Sequence, residues 1–177
     1  MTLIFNSYSA DYKRGEKIKA YCSILVSILP YTRETLLRML EKRPVILCVD
    51  DDPDDQVLFM ETIGEMAGNV RVACAMNGAE ALRYLEKFKM DGELPALIML
   101  DINMPLLNGK ETLVQLKKDA VLKSIPVVIF TTSSSDSDIS FCMSNGASRF
   151  ITKPVKLQEL KNVLGEMLKF LGVTSVK

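Results

Sequence analysis

The sequence contains no histidine, and this absence excludes several kinds of chemistry. Without histidine there is no Ser-His-Asp or Cys-His catalysis and no histidine-ligated zinc. The chain also has no histidine that could itself carry a phosphoryl group. Any chemistry of this chain must therefore depend on other side chains.

Three other features are missing. Lys plus Arg equal Asp plus Glu, at 22 each, so no excess charge points to nucleic acid or to an anionic membrane. None of the four cysteines forms a C-x-x-C pair, which favours small buried residues in a reducing compartment. The apolar segment "AYCSILVSILPY" at residues 20–31 contains Pro30 and falls short of the roughly 20 apolar residues that a membrane-spanning helix needs.

What remains is an ordinary globular composition. The chain has 177 residues, of which 48% are hydrophobic and 25% are charged. This length allows one domain with a core of its own and an appendage. We expect the protein to be cytoplasmic.

Apolar β-rich runs alternate with helical patterns from about residue 44 to about residue 171. Strands are predicted near Val45–Asp50, Val70–Ala75, Ala96–Asp101, Pro126–Thr131 and Arg149–Thr152. Helices are predicted near Pro53–Met66, Gly78–Lys89, Gly109–Lys117, Ser137–Asn145 and Leu157–Leu171. This alternation indicates an α/β fold with a doubly wound, five-stranded parallel sheet and helices on both faces.

Residues 1–43 do not share this alternation, so we treat them as an N-terminal extension. A basic patch at residues 13–19 precedes the apolar segment, but no clear cleavage site for a signal peptide follows it. Met39 stands shortly before the first strand. Three interpretations stay open: a translation-start artefact, a docking helix or a weak anchor. The predicted domain covers residues 44–172, and residues 173–177 form a short tail.

Polar side chains stand at four of the five predicted strand ends. Asp50 and Asp51 end the first strand, Asp101 ends the third, Thr131 ends the fourth and Lys153 follows the fifth. In a flavodoxin-like strand order 2-1-3-4-5, the first and third strands are neighbours where the order reverses, and ligands bind outside the strand ends there. These groups are therefore expected in one crevice.

Each of these residues also has a purely structural explanation. Asp52 followed by Pro53 is a typical helix start, and this explains Asp52 well. A single Asp at a strand end is usually a turn former, Thr131 suits a strand, and Lys153 could be a solvated surface charge. Four such coincidences at matching strand ends favour a functional site instead.

Clustered carboxylates predict a bound divalent cation. Two unit charges about 4 Å apart repel by about 4 kcal/mol at an effective dielectric constant near 20. Mg²⁺ binds oxygen ligands, usually one or two carboxylates together with phosphate oxygens. Asp51 and Asp101 are the predicted direct ligands, the backbone carbonyl of Asn103 completes the set, and Asp50 acts through a water molecule.

Asp101 is the predicted phosphoryl acceptor. Carboxylates can attack phosphoryl groups as nucleophiles. Mg²⁺, Lys153 and the hydroxyl of Thr131 would stabilise the charge on the transferred group. Asp101, Lys153 and Thr131 are therefore the candidate catalytic residues.

The ordered motifs "VDDD", "LDINMP…NG", "VVIFTTS" and "NGASRFITKP" resemble those of the receiver domain of two-component response regulators, which is CheY-like and flavodoxin-like. The resemblance covers the whole of residues 44–171. The segments "TTSSSDSDI" and "ITKPV" look most like stand-alone receivers paired with phytochrome-like or hybrid sensor kinases.

The resemblance implies a role for each position. Asp101 would be the phosphorylation site, Thr131 the switch hydroxyl and Lys153 the phosphate-binding lysine. Phe150 would be the switch aromatic, although it lacks the hydroxyl of the Tyr often found there. Pro154 would follow a cis peptide bond.

The implied partners are proteins. A sensor histidine kinase or a histidine phosphotransfer protein would donate the phosphoryl group. An unknown output protein would receive the signal, or a phosphorylation-dependent homodimer would form. Only "GVTSVK" follows Leu171, so we expect no output domain, no nucleic-acid binding and signalling by protein contacts.

Other functions remain as alternatives. The first is a haloacid-dehalogenase-like, magnesium-dependent phosphatase, whose second acid would stand where this chain has Asn103. A flavodoxin-like binding module would need a phosphate loop where this chain has acids. A receiver that signals without phosphorylation would usually have lost an acid or the lysine.

Overall fold

The computed structural model describes residues 43–173. Five strands form one sheet: β1 (Val45–Val49), β2 (Arg71–Ala75), β3 (Leu97–Leu100), β4 (Val127–Thr131) and β5 (Arg149–Thr152). The helices of this region are α1 (Pro53–Met66), α2 (Gly78–Asp91), α3 (Gly109–Lys118), α4 (Asp136–Ser144) and α5 (Leu157–Phe170), with a 3-10 helix at Leu122–Ser124. All strand pairs are parallel, and the order is β2-β1-β3-β4-β5.

The predicted fold class is therefore confirmed, including the strand order 2-1-3-4-5. The helices and strands stand where the sequence predicted them, within about two residues at each end. The sequence did not predict the 3-10 helix. A stretch of three residues is too short for a helical apolar pattern to appear.

The sheet separates two apolar layers because successive strand residues point to opposite faces. Leu47 and Val49 of β1 pack with α2, α3 and α4, whereas Ile46 and Cys48 pack with α1 and α5. Every residue of β1 and β3 is buried. The central strands are thus held on both faces, and their carboxyl ends are fixed positions.

Helix α1 begins as predicted, immediately after β1. The side chain of Asp52 accepts a hydrogen bond from the backbone N–H of Asp54 at 2.9 Å, and Pro53 is the first helical residue. This N-cap satisfies a backbone donor that the first turn leaves free. Asp52 therefore has the structural role that the sequence assigned to it.

The peptide bond before Pro154 is trans, since residues 43–173 contain no cis peptide bond. The prediction of a cis bond there was wrong; trans is the lower-energy form of an X-Pro amide.

The predicted extension at residues 1–43 lies outside the described residues, apart from Arg43. Val173, which the sequence placed in the tail, is buried against the α1–α5 side of the sheet. No helix within 43–173 has the length and apolarity to cross a membrane.

Candidate functional site

Three carboxylates meet at the carboxyl end of the sheet. Asp50 and Asp51 follow β1, and Asp101 follows β3, directly beyond the paired residues Val49 and Leu100. One carboxylate oxygen from each of the three Asp residues lies within 4.8 Å of the others. Asp50 and Asp101 are only 4% and 5% exposed, and Asp51 is half-buried. The predicted convergence of these residues is confirmed.

Turns at the two strand ends hold the buried carboxylates in place. The backbone N–H of Asp52 donates to Oδ1 of Asp50, and that of Asn103 donates to Oδ1 of Asp101, each at 3.1 Å. Each acid thus accepts a bond from the residue two positions later, as Asp commonly does in turns. Burial raises the pKa of the Asp50 carboxyl, although Lys153 and the Asp52 N–H oppose this shift.

Lys153 is the cation that faces this cluster. Its Nζ lies 2.7 Å from Oδ2 of Asp50 and 3.2 Å from Oδ2 of Asp101. Its backbone N–H donates to the carbonyl of Thr131 at 2.7 Å, which fixes the end of β5 beside the end of β4. Burial opposes the charge on Lys153, but the carboxylates of Asp50, Asp55 and Asp101 outweigh it and raise the pKa of the ammonium.

Thr131 is buried at the end of β4 and connects to the loop after β3. Its hydroxyl oxygen accepts a long hydrogen bond from the side-chain amide of Asn103 at 3.5 Å and one from the backbone N–H of Ser133 at 3.3 Å. Phe150 lies further from the site, opposite Ile129 in the β4–β5 pairing, and packs against the α2–α4 side of the sheet. The residues proposed for the switch thus belong to adjacent strands.

The acidic cluster is suited to a hard divalent cation. Its carboxylate oxygens are already close, and hard cations take oxygen ligands. Lys153 supplies one positive charge against three carboxylates, so a divalent ion would offset the remaining repulsion. The donor set contains no sulfur or imidazole ligand, which disfavours the softer transition metals.

Two further residues at the site escaped the sequence analysis. Asp55, in the first turn of α1, accepts a hydrogen bond from Nζ of Lys153 at 2.7 Å. Gln56 is 8% exposed and donates to the carbonyls of Asp50 at 2.7 Å and Ala75 at 3.1 Å, which ties β1 to β2 at the site. Acids are ordinary in a first helical turn, so Asp55 carried no distinct signal. Gln56 shares the buried face of α1 with Phe59 and Ile63, and a polar residue in that apolar pattern was a usable signal.

The profile of the response regulator receiver domain family matches residues 46–165, well over half of the chain. The chain belongs to this family. Its fold and its predicted membership of the two-component, CheY-like class are thereby confirmed.

One relative is a probable methanogenesis regulatory protein, FilR2, of Methanothrix harundinacea. It is 32% identical over 127 residues, which cover 71% of this chain and 82% of FilR2. The chain spans 53% and 51% of two longer matched regulators.

Two solved structures resemble the described fold. The phosphorylated cyanobacterial phytochrome response regulator RcpA is 30% identical, with a TM-score of 0.67 and coverage of 73% of this chain and 94% of RcpA. The Mn²⁺-bound form of response regulator Rcp1 is 28% identical, with a TM-score of 0.63 and coverage of 72% and 94%. Rcp1 comes from Synechocystis.

Proposed function

We propose that this chain is a single-domain response regulator that accepts a phosphoryl group on Asp101. The donor is a sensor histidine kinase or a histidine phosphotransfer protein in the cytoplasm. The observation that supports this role is the convergence of Lys153 on Asp101 and Asp50, with Asp51 completing an acidic cluster. A receiver of this kind is not an enzyme in the usual sense, because it promotes only its own phosphorylation and dephosphorylation.

The transfer makes one bond and breaks one. A carboxylate oxygen of Asp101 attacks phosphorus, and the P–N bond to the donor imidazole breaks. The electron pair stays on the imidazole nitrogen, which takes a proton from water. Because the sequence has no histidine, the phosphohistidine belongs to a partner protein. Lys153 and the hydroxyl of Thr131 stabilise the charge on the transferred oxygens.

Mg²⁺ is the proposed cofactor. Asp51, Asp101 and the backbone carbonyl of Asn103 would bind it directly, and Asp50 would contact it through water. A bound Mg²⁺ supplies positive charge that offsets the phosphoryl oxygens and the clustered acids. The buried turns that orient Asp50 and Asp101 keep the protein ligands in place before the ion arrives.

Phosphorylation is transmitted to other proteins by a change in the surface of the domain rather than by a second active site. A phosphoryl group carries a charge of about −2 and three acceptor oxygens, and the hydroxyl of Thr131 can donate to one of them. Moving Thr131 inward frees space on the face of the sheet where Phe150 packs. Phe150 then rotates inward and alters the surface of α4, β5 and α5, which binds an unknown output protein or a second copy of the chain.

The haloacid-dehalogenase-like phosphatase gains no support from the described residues. The second acid of such an enzyme would replace Asn103, whose side chain instead donates towards Thr131. Nothing in the site favours hydrolysis of a free substrate over transfer to Asp101.

Intact mass spectrometry tests the proposal. Acetyl phosphate and Mg²⁺ should add one phosphoryl group to the parent protein, and hydroxylamine should remove it, as expected for an acyl phosphate. Asp101→Asn should gain no mass. Asp136→Asn, which changes an exposed acid at the start of α4, is the matched control and should be modified like the parent. An Asp101→Asn protein that still gains a phosphoryl group contradicts the assignment.

A further inference from the structure

Lys153 has a third carboxylate partner that lies outside the acidic cluster. Nζ of Lys153 lies 2.7 Å from Oδ2 of Asp55, closer than the 3.2 Å that separates it from Oδ2 of Asp101. Asp55 comes from the first turn of α1, whereas Asp50 and Asp101 follow strands. The lysine is therefore shared between α1 and the strand ends, and its shortest contacts are to Asp55 and Asp50, both at 2.7 Å, rather than to the proposed phosphoryl acceptor.

The three partners differ in how easily they can release the lysine. An ammonium group has three N–H donors, and here it faces three carboxylates. The side chains of Asp50 and Asp101 are 6% and 7% exposed, whereas that of Asp55 is 41% exposed. Water can solvate the Asp55 carboxylate when Lys153 leaves it. Water reaches the buried carboxylates of Asp50 and Asp101 much less, so losing the lysine would cost them more free energy. Asp55 is the partner that costs least to release.

We propose that Asp55 is a positioning residue that competes with the phosphoryl group on Asp101 for Lys153. This inference rests on the proposed function. In the unmodified protein Asp55 shares the lysine and holds it on the α1 side of the site. When the anion forms on Asp101, one N–H of Lys153 exchanges Asp55 for a phosphoryl oxygen. Asp55 thereby lowers the affinity of the site for a phosphoryl group or its mimic on Asp101.

The position of Asp55 in a helix has another, simpler explanation. An acid in the first turn interacts favourably with the helix dipole, whatever else it contacts. Asp54 stands in the same turn and has the same charge, and its backbone N–H is the one that Asp52 caps. The ion pairs of residues 43–173 include Lys153 with Asp55 but none with Asp54. Comparing the two residues thus separates the contact with Lys153 from the effect on the helix.

Beryllium trifluoride, a mimic of the phosphoryl group, tests the competition at equilibrium. It would be titrated into the full chain with saturating Mg²⁺ and followed by amide NMR shifts. Asp55→Asn should tighten its binding by about three- to tenfold, from within the range for a fully exposed ion pair to somewhat above it. Asp54→Asn should change it by less than about twofold. Asp55→Glu, which restores a carboxylate, should return the affinity towards that of the parent.

Thermal unfolding separates this role from a structural one. Both Asn variants lose a favourable first-turn charge, so both should be slightly less stable than the parent, while only Asp55→Asn binds the mimic more tightly. Equal affinities for Asp55→Asn and Asp54→Asn, or weaker binding by Asp55→Asn, overturn the inference and leave the proposed function standing. A parent protein that neither binds the mimic nor accepts a phosphoryl group from acetyl phosphate overturns both.

Discussion

Gly109 is the residue whose substitution should disturb the site most directly without removing a functional group. It is the first residue of α3, and its backbone N–H donates to the carbonyl of Ile102 at 3.2 Å. A Cβ atom at Gly109 would stand 2.0 Å from the carbonyl oxygen of Asp101 and 2.7 Å from Cα of Ile102. Ordinary contacts are about 3.5 Å, so Gly109→Ala must separate α3 from the end of β3 by about 1.5 Å.

The expected cost follows from which atoms must move. Overpacking a core typically costs about 1–3 kcal/mol, and we expect the upper end because both crowded atoms are backbone. Asp101 itself would shift, and a displacement of about 1 Å at a reacting group can slow a reaction by about 100-fold. Gly109→Ala should therefore be less stable by about 2–3 kcal/mol and should accept phosphate from acetyl phosphate far more slowly.

Gly64→Ala is the matched control, because nothing lies within 4 Å of a Cβ atom there and the residue is in the last turn of α1. It should raise stability by about 0.5–1 kcal/mol and leave the phosphorylation rate unchanged. Urea denaturation and intact mass measure the two effects. If Gly109→Ala matched Gly64→Ala in both assays, the close approach of α3 to Asp101 would not constrain the site.

Three further perturbations test separate parts of the structure. Asp51→Ala should weaken Mg²⁺ binding on the order of 100-fold and Asp50→Asn by about tenfold, since Asp51 is a proposed direct ligand and Asp50 is proposed to act through water; calorimetric titration would show equal losses if that assignment is wrong. Thr131→Ala should keep phosphorylation but lose much of the self-association or partner binding induced by beryllium trifluoride, whereas an unchanged response would exclude Thr131 as the coupling residue. The backbone N–H of Leu122 and the ammonium of Lys89 lower the pKa of Asp119 from 3.8 to about 2, so its stabilising effect is present above about pH 4 and lost as the pH falls towards 2. Urea midpoints of Asp119→Asn should accordingly lie below those of the parent at pH 7 and converge on them as the pH falls through about 2, and a constant difference would contradict the shift.

The sequence predicted the fold well because each element carries its own local signal. Buried parallel strands appear as short apolar runs such as "VILCV", and helix starts appear as pairs such as Asp52 and Pro53. The site followed from one additional rule, that polar groups after parallel strands meet at one edge of the sheet. Asp50, Asp101 and Lys153 obey it, although they are distant in sequence.

The residues that escaped prediction are those whose partners depend on packing. Asp55 contacts Lys153 across 98 positions of sequence, and nothing in its local pattern distinguishes it from Asp54. Gln56 depends on the spacing between β1 and β2, because its amide spans the carbonyls of Asp50 and Ala75. The close approach of Gly109 to Asp101 likewise requires the relative position of α3 and β3. Sequence periodicity reports which face is buried, but not which atoms meet there.

The same packing explains how the chain tolerates so much negative charge in one place. Asp50, Asp51 and Asp101 bring carboxylate oxygens within 4.8 Å of one another, where each pair repels by about 3–4 kcal/mol at an effective dielectric constant near 20. The strands that precede them cannot spread to relieve this repulsion, because β1 and β3 are buried on both faces. Only added positive charge can relieve it, and Lys153 supplies a single charge shared among several acids. Under the proposed function, a divalent cation would supply the missing positive charge before the phosphoryl group arrives, and the rigid sheet would make its binding a precondition for placing a further anion on Asp101.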